Sequence, residues 1–252
     1  MRILITFALD LEFSPWRRMH SFAKSPGKDF AGYDGKVDDA QVRIVLTGVG
    51  GVRAKSAVGA ALEWQPDICI AAGLAGSLRA EYRIGQILAA RDTMELESGR
   101  TVSADASLLS RAEACGAVVI DRLLTSPAMV LSAEGKQRLG SMAGAVEMES
   151  FAVAREASAA HIPVIAIRAI SDNVDEDLPM DFAGVLDDGG NVSTGKMAHA
   201  LAHAPHKVPA LIRLGRNSRA ASMKLAEFFE GYVSALAAAS HAAPEMAEAR
   251  RA

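Results

Sequence analysis

Seven short stretches of this chain are apolar with little interruption: "RILITFAL" (2–9), "QVRIVLTG" (41–48), "DICIAAG" (67–73), "IGQILAA" (84–90), "AVVIDRLL" (117–124), "GAVEM" (144–148) and "PVIAIRAIS" (163–171). They lack the regular polar–apolar alternation of a strand with one wet face. Near-continuous hydrophobicity in runs this short, often rich in Val and Ile, asks for cover on both faces. Helical patterns fall between them at 52–65, 104–116, 132–140 and 149–161. Ser132 is placed to cap the third of these, Gly116 to end the second, and Pro163 to stop the fourth. Strands alternating with helices imply an α/β protein, a sheet covered by helices on both sides.

The 252 residues suit one such domain, drawn here as 1–240, with 241–252 as a flexible tail. Apolar residues make up 50% and charged residues 23%, the balance of a globular protein. A net charge of −3 offers no basic surface for nucleic acid or an anionic membrane. No apolar run approaches the roughly 20 residues that span a bilayer. The opening "MRILITFALDLEF" meets Asp10 and Glu12 at once, so it reads as a buried first strand and not a signal peptide. A cytoplasmic location follows as an expectation. Cys69 and Cys115 lie in apolar surroundings outside any CxxC, and two buried free thiols are expected.

Segment 173–195 is acidic, turn-rich and long for a connection, the character of a lid. Residues 196–240 read as helical, amphipathic around 218–236. The acidic run 172–182 reads as lid charge, and His199 with His203 as an exposed pair, so no metal site is assigned.

Three acids stand out by position. Glu12 follows the first strand, Glu149 follows "GAVEM", and Asp172 ends "PVIAIRAIS". In open α/β sheets, ligands bind beyond the carboxyl ends of strands, so the three can face one pocket. Glycine turns at "TGVGGVRAK" (47–55) and "AAGLAGSL" (71–78) can bring backbone N–H groups to a ligand, with Gly73 in the second. Neither is a GxGxxG or P-loop pattern, and GxSxG and HExxH are absent from the sequence.

"ALDLE", "TGVGGVRA", "PDICIAAGLAG", "AVEMES" and "RAISD", in that order, resemble the purine nucleoside phosphorylase and nucleosidase superfamily. The resemblance runs from residue 1 to about 182. It is closest to the 5′-methylthioadenosine/S-adenosylhomocysteine nucleosidases and futalosine hydrolases. It implies a phosphorylase-like fold with a mixed central sheet flanked by helices, a homodimer and cofactor-free cleavage of a purine N-glycosidic bond through a ribosyl cation. Asp172 then matches the general acid that protonates the departing purine. Glu149 matches the ribose-binding carboxylate, and Met148 the residue packed on the ribose. Glu12 matches the acid that activates water. Met129 and Val130 fall where the base stacks, Met129 standing where an aromatic is common. Phe182 would line the 5′ side, and Glu147 would serve structure or the rim of the site.

Two departures bear on the reaction. Phosphorolytic members use a glycine- and arginine-bearing anion site soon after the first strand; here that place holds "ALDLEF", with Arg17 and Arg18 read as a solvated helix face. Leu74 replaces a small polar residue, which points to bulkier 5′ groups, of futalosine or adenosyl-hopanoid type. Hydrolysis of a 5′-modified purine nucleoside is the leading expectation. The alternatives are a phosphate-dependent phosphorylase and a nucleoside-binding protein without turnover.

Overall fold

The computed structural model describes residues 1–25, 30–181, 185, 193, 195, 196, 199 and 204–249, with side chains to residue 240. Ten strands are described: β1 (Arg2–Phe7), β2 (Ala23–Lys24), β3 (Ala31–Val37), β4 (Ala40–Leu46), β5 (Ile68–Ser77), β6 (Ile87–Glu95), β7 (Thr101–Ser103), β8 (Val118–Thr125), β9 (Ala145–Glu147) and β10 (Val164–Asp172). The described helices are α1 (Asp10–Arg17), α2 (Gly51–Ala61), α3 (Ala106–Ala114), α4 (Ala133–Leu139), α5 (Ser150–Ala159) and α6 (Val208–Ala249). All seven expected strands and the four expected helices are present. The expected helical stretch 218–236 lies within α6.

The sheet is mixed, and part of it closes on itself. β5 pairs with β10 in parallel, β10 with β6 antiparallel, β6 with β8 and β8 with β9 in parallel, and β9 with β5 antiparallel. These five strands form a ring. From its β5 wall, β1, β4, β3 and β2 extend outward in order. The picture of an open sheet is therefore corrected. Short β9 enters against the direction of β5, with Val146 opposite Gly76. That placement brings the carboxyl end of β9 to the carboxyl ends of β5 and β10.

Helices cover both faces, as double burial requires. On one side α1, α3 and α6 pack over Ile5, Ile70 and Ile167. On the other, α2 and α5 pack over Leu4, Ala71 and Ala166. The apolar stripe of α6 runs Ala221, Leu225, Phe229, Tyr232, Leu236, the spacing of one helical face. Its Phe229 ring lies 5.3 Å from Trp16 of α1, tying the C-terminal helix to the first βα unit.

Several elements differ from expectation. β6 runs to Glu95, well past the stretch 84–90. β2, β3 and β7 were not expected; β3, "AGYDGKV", carries two glycines and an Asp, and its register on β4 is what makes it a strand. "AAGLAGS", read as a turn, continues β5. A Cβ at Gly73, whose φ is +148°, would lie 2.4 Å from Arg168 Nη1, and one at Gly76 would lie 2.9 Å from Asp172 Oδ2. These glycines let β5 pass beneath two charged side chains. Cys69 is buried, but Cys115 is only half-buried. α6 continues to Ala249 through the stretch read as tail. Among the described residues no helix is long and apolar enough to cross a membrane.

Candidate active site

Glu12, Glu149 and Asp172 do face one cavity. All three are buried, and together they line a recess of about 160 Å³ with Met129, Val130 and Met148. The recess shares Glu12, Met129, Met148 and Asp172 with a larger cavity of about 760 Å³. Gly73 is not on either described wall; it makes room for Arg168 and Glu12 behind it. Phe182 lies outside the described residues, as do His203 and part of the segment read as a lid.

Glu12 sits in the first turn of α1, and its carboxylate is wrapped in backbone donors. Oε2 accepts from the N–H groups of Ala8 (2.8 Å) and Leu9 (3.0 Å), and Oε1 from Leu74 (3.0 Å). Burial raises its pKa above the ordinary 4.5, while the Arg168 guanidinium and these N–H groups oppose the rise.

The two acids of "VEMES" divide the work. Glu147 closes β9 and turns back to α5: its Oε2 accepts from the backbone N–H groups of Glu149 (2.9 Å) and Ser150 (2.8 Å). Thr125 at the end of β8 donates to Glu147 Oε1 (2.5 Å) and accepts from the N–H of Phe151 (2.9 Å). The open donors at the start of α5 are thereby satisfied. Glu149 caps the same helix by position, yet its side chain reaches away. Oε1 accepts from the N–H of Gly50 at 2.7 Å, so the glycine turn 47–55 grips a protein carboxyl. Burial and the neighbouring Glu147 push Glu149 up to about 8, against the pull of Arg168.

The sequence reading missed Arg168, which holds this side together. It projects from β10 and is 2% exposed. Nη2 lies 2.6 Å from Glu147 Oε2, and Nη1 lies 3.9 Å from Glu149 Oε2. Nε and Nη2 donate to Ser150 Oγ at 3.2 and 2.8 Å. A lone charge within "PVIAIRAIS" was the available signal: a buried strand tolerates an arginine only where carboxylates await it.

Lys136 was also missed. It lies in "SAEGKQRLG", on the helix whose cap was read correctly; Ser132 Oγ accepts from the N–H of Gly135 at 3.1 Å. Lys136 is 1% exposed, and its Nζ meets Asp172 Oδ2 at 2.5 Å. Nζ also donates to the carbonyls of Asn173 (2.9 Å) and Glu176 (3.0 Å). Ser171 Oγ donates to the other Asp172 oxygen at 2.9 Å.

The wall of the larger cavity is mainly apolar. Leu9, Val49, Leu74 and Leu178, shared with the recess, surround its inner part, and Leu11 of α1 with Val208, Leu211 and Ile212 of α6 its outer part. Arg18, exposed as expected, stands at this cavity, while Arg17 folds back onto Asp10 (2.6 Å) and Tyr33 (2.7 Å). Among the described residues no group of three or more His, Cys, Asp or Glu is placed to hold a metal ion.

A ring of strands with buried carboxyls gathered at strand ends above a recess defines a class, and the comparisons agree. A family model described as the phosphorylase superfamily matches residues 2–202, and the chain belongs to that superfamily. Among solved structures, a futalosine hydrolase mutant of Helicobacter pylori strain 26695 superposes with a TM-score of 0.72 at 19% identity, covering 93% of this chain and 99% of that one. The 5′-methylthioadenosine/S-adenosylhomocysteine nucleosidase of Helicobacter pylori, in complex with butyl-thio-DADMe-Immucillin-A, gives 0.73 at 19%, covering 93% and 98%. The corresponding enzyme of Neisseria meningitidis, with methylthio-immucillin-A, gives 0.71 at 20%, covering 92% and 98%. Likeness at these identities is likeness of fold.

Proposed function

We propose that this protein hydrolyses the N-glycosidic bond of a 5′-modified purine nucleoside and releases the free base. The observation that carries the choice of water over phosphate is the setting of Glu12. The donors of Ala8, Leu9 and Leu74, which could have cradled an oxyanion, already hold a carboxylate of the protein. A phosphate brought beside it would meet like charge, and Arg168 is engaged with Glu147 and Ser150.

The resemblance implies the roles, and the geometry supports them. Glu12 takes a proton from the attacking water; burial moves its pKa toward the range useful for a base. Glu149 binds ribose hydroxyls beside Met148. Its carboxyl is pushed up to about 8 in the free protein. Positive charge developing on the sugar draws it back toward ionisation, so its attraction grows toward the transition state. Asp172 delivers a proton to the purine, which departs with the electron pair of the C1′–N bond. Met129 and Val130 pack on the base.

The 5′ group occupies the larger cavity. An apolar hollow of about 760 Å³ continuing from Glu12 and Asp172 favours a bulky apolar substituent over a small or charged one. Leu74, the departure that suggested this, stands on its wall.

The test is a panel of 5′-methylthioadenosine, S-adenosylhomocysteine, adenosine, inosine, futalosine and adenosines with 5′-alkyl groups of increasing length, with and without phosphate. Base release without phosphate, with kcat/KM rising along the alkyl series, is expected. No free base under either condition would refute the reading. A strict phosphate requirement with ribose 1-phosphate as product would replace hydrolysis by phosphorolysis.

A further inference from the structure

Asp172 presents a chemical difficulty. A general acid must hold a proton, yet this carboxyl is engaged in a salt bridge with a buried lysine at 2.5 Å. We propose that Lys136 resolves the difficulty as the proton reservoir for leaving-group protonation, a positioning residue that acts through Asp172. The inference rests on the hydrolytic reading above and adds a residue to it.

Lys136 is placed for this and for little else. A lysine 1% exposed is rare unless paired, and this one stands on the wall of the recess with Asp172. Its Nζ has three donors and three acceptors: Asp172 Oδ2 and the carbonyls of Asn173 and Glu176. The two carbonyls fix the amine, and the carboxylate is its only acceptor that can take a proton. Ser171 Oγ–H occupies the other carboxylate oxygen and orients the group. Gly76 leaves the space in which that carboxyl sits.

The proton accounting closes. The cycle starts from an ammonium and a carboxylate, the two ends of the salt bridge. A bound purine excludes water, and an ion pair deprived of water loses its advantage over the neutral amine–acid pair. The proton moves from Nζ to Asp172 and from Asp172 to the purine ring nitrogen as the C1′–N bond breaks, its electrons leaving with the base. Water adds to C1′ and gives a proton to Glu12. Lys136 ends as the neutral amine, and Glu12 ends protonated. Glu12 loses a proton to solvent and Lys136 regains one, so each turnover consumes one water.

The experiment compares two leaving groups in Lys136→Met and Lys136→Arg. One substrate is the best purine nucleoside of the panel; the other is the 4-nitrophenyl riboside with the same 5′ group, whose phenolate departs without a proton. Both variants are expected to lose about 100-fold or more in kcat on the purine nucleoside, the low end of acid catalysis, with KM within about threefold. On the aryl riboside each should stay within about threefold of the unaltered protein. Lys136→Arg keeps the charge and cannot release a proton, so it carries the test if Lys136→Met fails to fold. Equal losses on both substrates would reduce Lys136 to a structural tie and overturn the proposal, and so would unchanged turnover on the purine nucleoside. If the unaltered protein releases no base from any nucleoside, the hydrolytic reading fails first and this inference falls with it.

Discussion

Two buried cations support the same cavity and keep different company. Arg168 lies among three carboxyls: Glu147 at 2.6 Å, Glu149 at 3.9 Å, and Glu12, whose ionisation it favours. Lys136 has, among the described residues, one carboxyl at ion-pair distance, Asp172. Around Arg168 the acids outnumber the base; burial raises the pKa values of Glu12 and Glu149, and Glu147 adds to the rise at Glu149. Around Lys136 the charges match one to one, which makes a pair able to exchange a proton internally. On the proposed reading, the sugar side of the site thus tunes its acids by burial and crowding, and the purine side supplies a proton by pairing.

The comparison breaks most readily at Asp172. Asp172→Asn cannot relay a proton, and steady-state kinetics should show turnover lowered by about 10²–10⁴-fold with nucleoside affinity nearly intact. A large loss of affinity with normal turnover would remove Asp172 from the acid role. On the other side, Arg168→Met strands Glu147 in the interior. Breaking a buried pair in this way costs about 3–5 kcal/mol, to be read from denaturant unfolding. A loss below about 1 kcal/mol would mean that water reaches the cluster and that the crowding is not felt.

Gly73→Ala tests how tightly the crowded side is built. Its Cβ would lie 2.4 Å from Arg168 Nη1 and 3.0 Å from Glu12 Oε1. A loss of about 1–3 kcal/mol is expected from overpacking and from an unfavourable φ, again by denaturant unfolding. The smallest effect is a slope with pH. Glu149 is raised in the folded protein to about 8 from 4.5, so between those values the unfolded chain binds fewer protons than the native one. Its contribution to stability is therefore present in acid and is lost as pH rises toward 8, and Glu12 acts in the same sense. The melting temperature should fall across that window, and Glu149→Gln should flatten the fall. An unchanged slope in the variant would place the titration elsewhere.

Much of this was legible because strand burial and strand ends leave local marks. Glu12, Glu149 and Asp172 were found as acids that terminate apolar runs, and the structure puts all three at one recess. Arg168 was marked only as a lone charge within an apolar strand, its partners unnamed; Lys136, on an ordinary amphipathic helix, reads the same in its solvated and its buried states. Only a partner brought from elsewhere in the chain distinguishes them. The stretch 71–78 misled for a similar reason. Glycines commonly mark turns, and here they instead make space under side chains from β10, a need that no local window contains.

The order of apolar runs and helical patterns determined on its own that this chain forms an α/β sheet covered on both faces, because periodicity and burial act residue by residue along the backbone. Which charges meet was decided by the closing of β5, β10, β6, β8 and β9 into a ring, and by the return of α4 to the end of β10. An interaction between charges depends on distance and on the exclusion of water, and both come into being only when distant segments pack.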